Sequence, residues 1–337
     1  MKLQARRREV RLGTITLPTP LVVPSFSSRA KPPTPLSEIA QGALPTIVGP
    51  VLISAYDVAH EPALSGFDFR EEIVAAAPTF VLMDSGGYEA LWNRKARQAK
   101  LVEASDARSW SRALHRRVLT RWPVDIPTIA VTFDTPERRP GSFERQIASG
   151  AELASRFPHI SVELLIKPPQ PGRQPFLVAE QIAPHAKSLG QFAMIGVTED
   201  EIGPSMTARL TFLSRLRSIL DNAGLDTPIH VFGGLEPIMT PLYFWAGADV
   251  FDGLSWLRYA YADGRSVYAK SVVASDYPND LAPNAYSEMR RRNVRALTDL
   301  QISMQQFLIR QDVTVFGSVA QRLSATWSAA FEEIPVP

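Results

Sequence analysis

The chain has 337 residues, with 36 lysines and arginines against 34 aspartates and glutamates, which gives a formal net charge of +2. A hydrophobic fraction of 45% and a charged fraction of 21% are typical of a folded globular protein and exclude a mainly disordered chain. Cysteine is absent, which excludes disulfides, thiolate metal sites and a cysteine nucleophile.

The start of the chain carries charge where a signal peptide needs an apolar run, and no apolar run approaches the length of a membrane span. We therefore expect a cytoplasmic protein that does not contact a membrane. The histidines show no metal-ligand spacing, so we expect isolated surface or core residues, no metal and no cofactor. They are His60, His115, His159, His185 and His230.

Eight short apolar runs end at Gly, Asp, Pro or Ser and are predicted strands. Most of them are uninterrupted, which is typical of parallel strands that are buried on both faces. In chain order the runs are 20–25, 46–53, 79–83, 127–133, 161–166, 192–197, 229–232 and 248–251.

Segments with helical patterns lie between and after these runs. Thr34 and Pro35 predict an N-cap and the first position of a helix. Four leucines repeat along one face of a later helix, which is predicted to end near Gly224. Further helices are predicted at 284–310 and 317–331. The four leucines are Leu210, Leu213, Leu216 and Leu220.

The strand starts are spaced by about 33 residues on average, which is the size of a βαβ unit. Eight such units predict an α/β fold, a single-domain (β/α)8 TIM barrel over about 18–280 with flanking carboxy-terminal helices over about 284–331. A doubly wound open sheet is the alternative, but no Gly-x-Gly-x-x-Gly follows an early strand.

Acidic residues follow several of the predicted strands, at the end where barrels carry their active sites. A single aspartate after a strand is usually a helix cap, but Asp84, Asp134 and Asp252 on one rim indicate a site, because converging like charges cost free energy. Two carboxylates without metal ligands suit covalent glycosyl chemistry, in which one attacks an anomeric carbon and another handles the proton of the leaving group. Tyr88 and Phe232 could form aromatic walls for a flat polar ring.

Two motifs carry a resemblance to a known family. The segment Asp84–Glu89, Asp-Ser-Gly-Gly-Tyr-Glu, resembles the Asp-Ser-Gly-Gly-(Phe/Tyr)-Gln motif of the tRNA-guanine transglycosylases, the superfamily of queuine and archaeosine tRNA-ribosyltransferases. The segment 248–252, Ala-Asp-Val-Phe-Asp, resembles the Gly-Val-Asp-Met-Phe-Asp segment around their nucleophile. Weaker matches follow the order of the family at 132–134, 194–199, 231–234 and 257–258, so the resemblance covers about residues 10 to 310.

The resemblance implies an enzyme that exchanges guanine in a nucleic acid for a 7-deazaguanine of the preQ0 or preQ1 type. It makes Asp252 the nucleophile, which forms a covalent glycosyl intermediate, and Asp84 the acid/base. It implies that Asp134 accepts hydrogen bonds from the base, that Tyr88 and Phe232 sandwich it, and that backbone at two residues of the sixth strand donates to its carbonyl. The implied base-binding residues are Asp134, Ser85, Gly86, Tyr88, Lys167, Met194, Ile195, Glu199, Phe232 and Gly233.

The chain departs from the family mainly at positions that contact the polynucleotide. The three cysteines and the histidine of the family's zinc site are absent, with Thr298 near the position of the histidine, and Tyr261 replaces an arginine. Lys167 and Glu89 replace glutamines. These changes favour a DNA substrate over tRNA. The residues expected to contact the nucleic acid are Arg258, Arg94, Lys95, Arg97, Arg290, Arg291 and Arg292.

Three alternatives stay open at this point. The chain could be a zinc-free tRNA-guanine transglycosylase, a non-catalytic nucleic-acid-binding subunit, or a barrel enzyme that forms a Schiff base through Lys167. The resemblance also leaves open whether the protein acts alone, as a homodimer or with a partner subunit.

Overall fold

Eight parallel strands close into a barrel in the computed structural model, which describes residues 3–30, 34–98, 109–134 and 140–331. The predicted closed barrel is confirmed, and the alternative of an open sheet is wrong. In chain order the strands are β1 (Glu9–Leu12), β2 (Ile15–Pro18), β3 (Leu21–Phe26), β4 (Val51–Ser54), β5 (Val81–Asp84), β6 (Thr128–Val131), β7 (Ser161–Leu165), β8 (Met194–Thr198), β9 (Ile229–Phe232), β10 (Val250–Gly253), β11 (Tyr259–Ala262) and β12 (Arg265–Tyr268).

Strands β3 to β10 form the barrel in sequence order, and β10 pairs with β3 to close it. The pairs β1–β2 and β11–β12 are antiparallel hairpins. Each of the eight predicted runs overlaps one barrel strand. The second run was predicted to start too early, because Leu44–Thr46 forms a 3-10 turn that includes Pro45 and the strand begins only at Val51.

Helices follow the barrel strands and cover the outside of the sheet. In chain order they are α1 (Leu36–Ala43), α2 (Ala55–Ser65), α3 (Phe69–Ala76), α4 (Gly87–Gln98), α5 (Arg112–Arg121), α6 (Phe143–Arg156), α7 (Ala179–Ile182), α8 (Ala186–Leu189), α9 (Met206–Asn222), α10 (Met239–Trp245), α11 (Ser255–Arg258), α12 (Ala269–Asp276), α13 (Ala282–Arg310) and α14 (Ala320–Phe331).

Most of the predicted helix signals agree with these bounds. The four leucines of α9 are fully buried, and Gly224 follows its end with φ +75°. The predicted 284–310 and 317–331 correspond to α13 and α14. The prediction for Thr34 is wrong by one residue: Pro35 is the N-cap of α1, and the Thr34 hydroxyl accepts a hydrogen bond from Arg290 Nη1 instead.

The barrel interior is apolar at its amino-terminal end and polar at its carboxyl end. Side chains alternate between the two faces of a strand. Val23 and Leu82 lie in the inner apolar cluster, so the residues two positions after them also point into the barrel. Those residues are Ser25 and Asp84. Asp252 follows the inward-facing Val250 in the same way.

Hairpin β1–β2 covers the amino-terminal mouth of the barrel. Val10 and Leu12 are 0% and 6% exposed and belong to the same inner apolar cluster as the barrel side chains. Asp249 anchors the hairpin, since its Oδ1 accepts from Arg8 Nη1 at 2.9 Å and its Oδ2 accepts from the Ile229 amide at 2.9 Å. One buried carboxylate therefore ties the hairpin to the barrel wall.

Within the described ranges, no helix combines the length and the apolar character that crossing a bilayer requires.

Candidate active site

Asp252 lies at the carboxyl end of β10 and is 6% exposed. Its Oδ2 accepts a hydrogen bond from Ser25 Oγ at 2.7 Å, and its Oδ1 accepts one from the Gly233 amide at 3.0 Å. Ser25 Oγ in turn accepts from the Gly253 amide at 3.0 Å. These bonds fix the orientation of the carboxylate before any ligand binds.

His230 connects Asp252 to a second buried carboxylate. Its Nε2 lies 3.2 Å from Asp252 Oδ1, and its Nδ1 lies 2.8 Å from Glu163 Oε1. Burial alone would lower the pKa of His230, but Glu163 and Asp252 outweigh it and raise the pKa to about 10. Burial raises the pKa of Glu163, and His230 partly offsets that effect. At neutral pH His230 is therefore an imidazolium that donates from both nitrogens.

Sequence reasoning missed this triad. His230 was expected to be an isolated residue, and Glu163 was not considered. The available signal was the two-residue alternation on β7 and β9, which places Glu163 two positions before Leu165 and His230 two positions before Phe232. Each pair therefore shares one face of its strand.

Asp84 ends β5 and keeps partial exposure at the mouth of the barrel. Burial, then the charges of Glu89 and Asp252, raise the pKa of Asp84 to about 7, while the Gly86 amide, which donates to its Oδ2 at 3.0 Å, opposes the rise. A carboxyl group with this pKa exchanges protons near neutrality, which is the property of a general acid and base. Its electrostatic interaction with Asp252 places the two carboxyl groups in one site.

Glu89 lies beneath Asp84 on α4 and is 2% exposed. Its carboxylate accepts from Ser27 Oγ at 2.5 Å and from Ser54 Oγ at 2.7 Å. Burial raises the pKa of Glu89, and the two serine bonds oppose the rise. The sequence identified Glu89 only as a departure from a motif, whereas in the structure its charge is, after burial, the largest cause of the raised pKa of Asp84.

The turn after Asp84 is shaped by its neighbours. Gly86 has φ +83°, and a Cβ at this position would lie 2.7 Å from Trp110 Nε1, which donates to the Ser85 carbonyl at 2.8 Å. A Cβ on Gly87 would lie 2.9 Å from the Asp134 carbonyl oxygen. Only glycine fits this turn, so the motif brings the Asp84 and Asp134 loops together.

Asp134 and Lys167 form a polar group on the same rim. Lys167 Nζ lies 3.4 Å from Asp134 Oδ2 and 2.9 Å from Glu201 Oε2, and it donates to Thr198 Oγ1 at 3.0 Å. Burial would lower the pKa of Lys167, but the two carboxylates raise it. Lys167 is therefore a fixed ammonium donor beside the Asp134 carboxylate.

Two predicted base-binding residues of β8 and its following turn are placed differently. The Ile195 amide donates to the Pro228 carbonyl within the sheet, so it is not free to donate to a base. The Met194 side chain lies in the inner apolar cluster, and its backbone contact with a base stays a prediction. Glu199 accepts from Arg209 Nη1 at 2.5 Å and from Tyr243 OH at 2.6 Å. Its carboxylate is bound by side chains of helices α9 and α10 outside the barrel.

The two predicted aromatic walls occupy different levels of the site. The Phe232 ring packs against the His230 ring at a centroid distance of 4.0 Å, next to Asp252. Tyr88 lies at the rim, where its hydroxyl accepts from Arg258 Nη2 at 2.7 Å. Phe232 therefore forms part of the floor, and Tyr88 together with Arg258 forms part of the entrance.

The predicted nucleic-acid contacts divide into exposed and buried residues. Arg258, Lys95 and Arg291 are exposed. Arg290 is 4% exposed and donates to Thr34 and Ser287, because its position on α13 faces the protein; it is not a surface contact. Arg292 is exposed and pairs with Asp276 at 3.2 Å. The side chains of Arg94 and Arg97 lie outside the described residues.

Thr298, which the resemblance places near a zinc-binding histidine, has another role in the structure. Thr298 donates from Oγ1 to the Val294 carbonyl at 3.1 Å within α13. In the described part of the chain, no group of three or more His, Cys, Asp or Glu side chains is arranged to hold a metal ion.

The site thus combines a carboxylate held by three donors, a second carboxyl group that titrates near neutrality, and a lysine–aspartate pair on the same rim. No protein-family model matches the chain, and no curated protein matches it either.

Proposed function

We propose that the protein is a base-exchange transglycosylase, which replaces guanine in a nucleic acid with a 7-deazaguanine through a covalent glycosyl intermediate on Asp252. The observation that carries this proposal is the pairing of Asp252, oriented by Ser25, His230 and Gly233, with Asp84, whose pKa of about 7 suits proton transfer.

In the first step an oxygen of Asp252 attacks C1′ of the target nucleotide. The C1′–N9 bond breaks, and its electron pair leaves with the base, which takes the proton of Asp84 on a ring nitrogen. In the second step the incoming base gives a ring proton to the Asp84 carboxylate, its nitrogen attacks C1′, and Asp252 is released. Two displacements at C1′ give net retention of configuration.

Asp134 and Lys167 suit recognition of the base. A carboxylate accepts hydrogen bonds from the ring and amino N–H groups of a guanine-like base, whereas an ammonium group donates to its carbonyl. Both groups already lie together, with Lys167 Nζ 3.4 Å from Asp134 Oδ2. The base must leave its stack to reach them.

The Schiff-base alternative is disfavoured by the surroundings of Lys167. A lysine that attacks a carbonyl must lose its proton, and such lysines have a lowered pKa. Asp134 and Glu201 raise the pKa of Lys167 and hold it as a cation.

The non-catalytic alternative is disfavoured by the cost of the acidic cluster. The acidic residues Asp84, Glu89, Glu163 and Asp252 lie in or beneath one barrel mouth, and their mutual repulsion lowers the stability of the fold. A catalytic role accounts for this cost, whereas a binding subunit has no need of it.

The test is exchange of labelled guanine into duplex DNA, heat-denatured DNA and an unmodified tRNA transcript, followed by denaturing electrophoresis to detect a covalent complex. We expect the full-length protein to incorporate label into at least one polymer and to form the complex, and we expect Asp252→Asn to do neither. Asp200→Asn is the matched control, because the Asp200 side chain is 90% exposed. Absence of exchange into all three polymers, or a complex formed by Asp252→Asn, would refute the proposal.

A further inference from the structure

The buried His230 lies between two carboxylates, and only one of them belongs to the proposed reaction. We infer that His230 and Glu163 are a positioning pair for Asp252, which holds Oδ1 of the Asp252 carboxylate and leaves its Oδ2 as the attacking oxygen. The inference rests on the proposed function in that Asp252 is taken as the nucleophile.

The geometry requires a charged histidine. A neutral imidazole has one N–H donor and one nitrogen that carries a lone pair. Between two carboxylates, the lone pair of that nitrogen would face a lone pair of a carboxylate oxygen, which is repulsive. His230 has an oxygen at 2.8 Å from Nδ1 and another at 3.2 Å from Nε2. With both carboxyl groups ionised, the two contacts are favourable only when both nitrogens carry protons.

The two oxygens of Asp252 are not equivalent. Oδ1 accepts two N–H bonds, one of them from the charged ring of His230, and the other from Gly233. Oδ2 accepts only the Ser25 hydroxyl among the bonds that the described residues make to it. A charged donor withdraws electron density from the oxygen it binds. Oδ2 therefore keeps the greater electron density and is the better nucleophile.

His230 lies among buried carboxylates. Asp252 is 6% exposed and shares the barrel with Asp84 and Glu163, so the negative charges of these groups repel one another. The groups that face His230 are Glu163 from β7, Asp252 from β10 and the uncharged Phe232 from its own strand. His230 supplies the compensating charge, and Glu163 keeps His230 protonated.

The barrel wall leaves room for this pair at one glycine. A Cβ on Gly196 would lie 2.5 Å from Glu163 Oε1 and 2.5 Å from a carbon of the Phe232 ring. Any larger residue at position 196 would push the Glu163 carboxylate away from His230, or the Phe232 ring away from the His230 ring.

Both chemical steps depend on the pair. In the first step it fixes the orientation of the attacking carboxylate, and in the second step the imidazolium stabilises the carboxylate that departs from C1′. Binding of the polymer or of the base does not involve His230. We therefore expect its loss to lower kcat and to leave KM nearly unchanged.

One arm of the test reads the charge of His230 without turnover. The full-length protein, labelled with ¹⁵N-histidine, is measured by NMR at pH 8.5. Histidines with ordinary pKa values are neutral there, and burial together with Arg112 and Arg116 lowers the pKa of the other fully buried histidine, His115, to about 3. We expect one doubly protonated ring, which is absent from Glu163→Gln. A spectrum with only neutral rings would overturn the inference.

The second arm is kinetic and uses the polymer that accepts guanine. We expect His230→Gln to lower kcat by about 100-fold and Glu163→Gln by about 10-fold, with KM changed by less than about 3-fold. His159→Gln is the matched control, because His159 is exposed. A His230→Gln protein that melts like the wild type and keeps its kcat would overturn the inference.

The two arms separate the inference from the proposed function. A wild-type protein that transfers guanine to none of the polymers refutes the proposed function, whereas the NMR arm still decides whether Glu163 holds His230 as a cation beside Asp252. If His230→Gln does not fold, the wild-type spectrum and the kinetics of Glu163→Gln decide the question.

Discussion

Asp84 is held in surroundings that favour its reactivity over the stability of the fold. In the folded protein its pKa is about 7, whereas the ordinary value is 3.8. The folded state therefore binds this proton more tightly than the unfolded state does. Asp84 of the unfolded chain loses its proton near pH 4, whereas Asp84 of the folded protein keeps its proton until about pH 7. The stability that the protonated group contributes is therefore complete below about pH 4 and is lost as the pH rises through 7.

Asp84→Asn removes the free-energy cost of ionising Asp84 in the folded protein. At pH 8 we expect the variant to exceed the wild type in free energy of unfolding by about 1–3 kcal/mol, after allowance for partial solvent screening, and to match it at pH 4. Urea unfolding at both pH values measures the difference. The exposed Asp200→Asn serves as the control and is expected to match the wild type at both. Equal stability of Asp84→Asn and wild type at pH 8 would contradict the pKa assigned to Asp84.

Glu89 offers a way to move that pKa without touching Asp84. After burial, its charge is the largest cause of the rise, and the other charged groups around Glu89 are Asp57, Arg29 and Asp84 itself. In Glu89→Gln we expect the pKa of Asp84 to fall by about 1 unit. Because the first step needs protonated Asp84, the alkaline limb of kcat/KM for guanine exchange should move to lower pH by the same amount.

The control for this prediction is Glu180→Gln, which removes a carboxylate that is 58% exposed. Its pH profile should match that of the wild type. An unchanged alkaline limb in Glu89→Gln would show that burial alone sets the pKa of Asp84.

At the scale of elements, the turn from β5 to α4 decides where Asp84 points. Its Gly86 combines a positive φ of +83° with close contact to Trp110. Gly224 has a similar φ of +75°, but a Cβ there would meet no atom within 4 Å. A comparison of substitutions at Gly86 and Gly224 therefore separates the cost of backbone strain from the cost of a steric clash.

Gly224→Ala should lower the free energy of unfolding by about 1 kcal/mol, the cost of the positive φ alone. Gly86→Ala should cost about 2–4 kcal/mol, because Trp110 must move as well. Thermal or urea unfolding of both variants gives the comparison. Equal losses would mean that the Trp110 contact yields without cost.

The sequence was most informative about the strands and the rim. Continuous apolar runs reveal strands that are buried on both faces, and the residue after such a run lies at the carboxyl end, which located Asp84, Asp134 and Asp252. It was least informative about which face a side chain occupies. A run of four or five residues does not distinguish the barrel interior from the helix-facing side, so Glu163 and His230 were missed. In the same way, the sequence did not show which face of α13 carries Arg290, so the burial of Arg290 was not predicted.

At the scale of the whole molecule, charge is nearly balanced, so any hold on a polynucleotide comes from local groups. Arg258 lies at the entrance beside Tyr88, and Lys95, Arg291 and Arg292 are exposed elsewhere. Arg290 is buried and does not contribute. The exposed set is small, which predicts weak binding with a modest dependence on salt, because the slope of log Kd against log salt scales with the number of phosphates contacted.

We expect guanine or a 7-deazaguanine to be exchanged into DNA faster than into unmodified tRNA that bears guanine at the wobble position. Fluorescence anisotropy with labelled DNA should give a log Kd against log salt plot with a slope of magnitude about 4, if all four exposed side chains contact phosphates. Arg258→Gln should reduce that slope by about 1, whereas Arg215→Gln, a change at an exposed arginine on α9 outside the predicted contacts, should leave it unchanged. Efficient exchange into tRNA with none into DNA would instead establish a zinc-free tRNA enzyme.

Hairpin β1–β2 seals the amino-terminal mouth with Val10 and Leu12, so the reaction chamber has its opening at the carboxyl end. In the proposed exchange the departing guanine and the arriving base pass through that opening and use the same Asp134 and Lys167 contacts. They must occupy the chamber in turn, with the sugar waiting on Asp252 in between. Initial rates should therefore give parallel double-reciprocal lines for polymer and free base, and added guanine should compete with the arriving base.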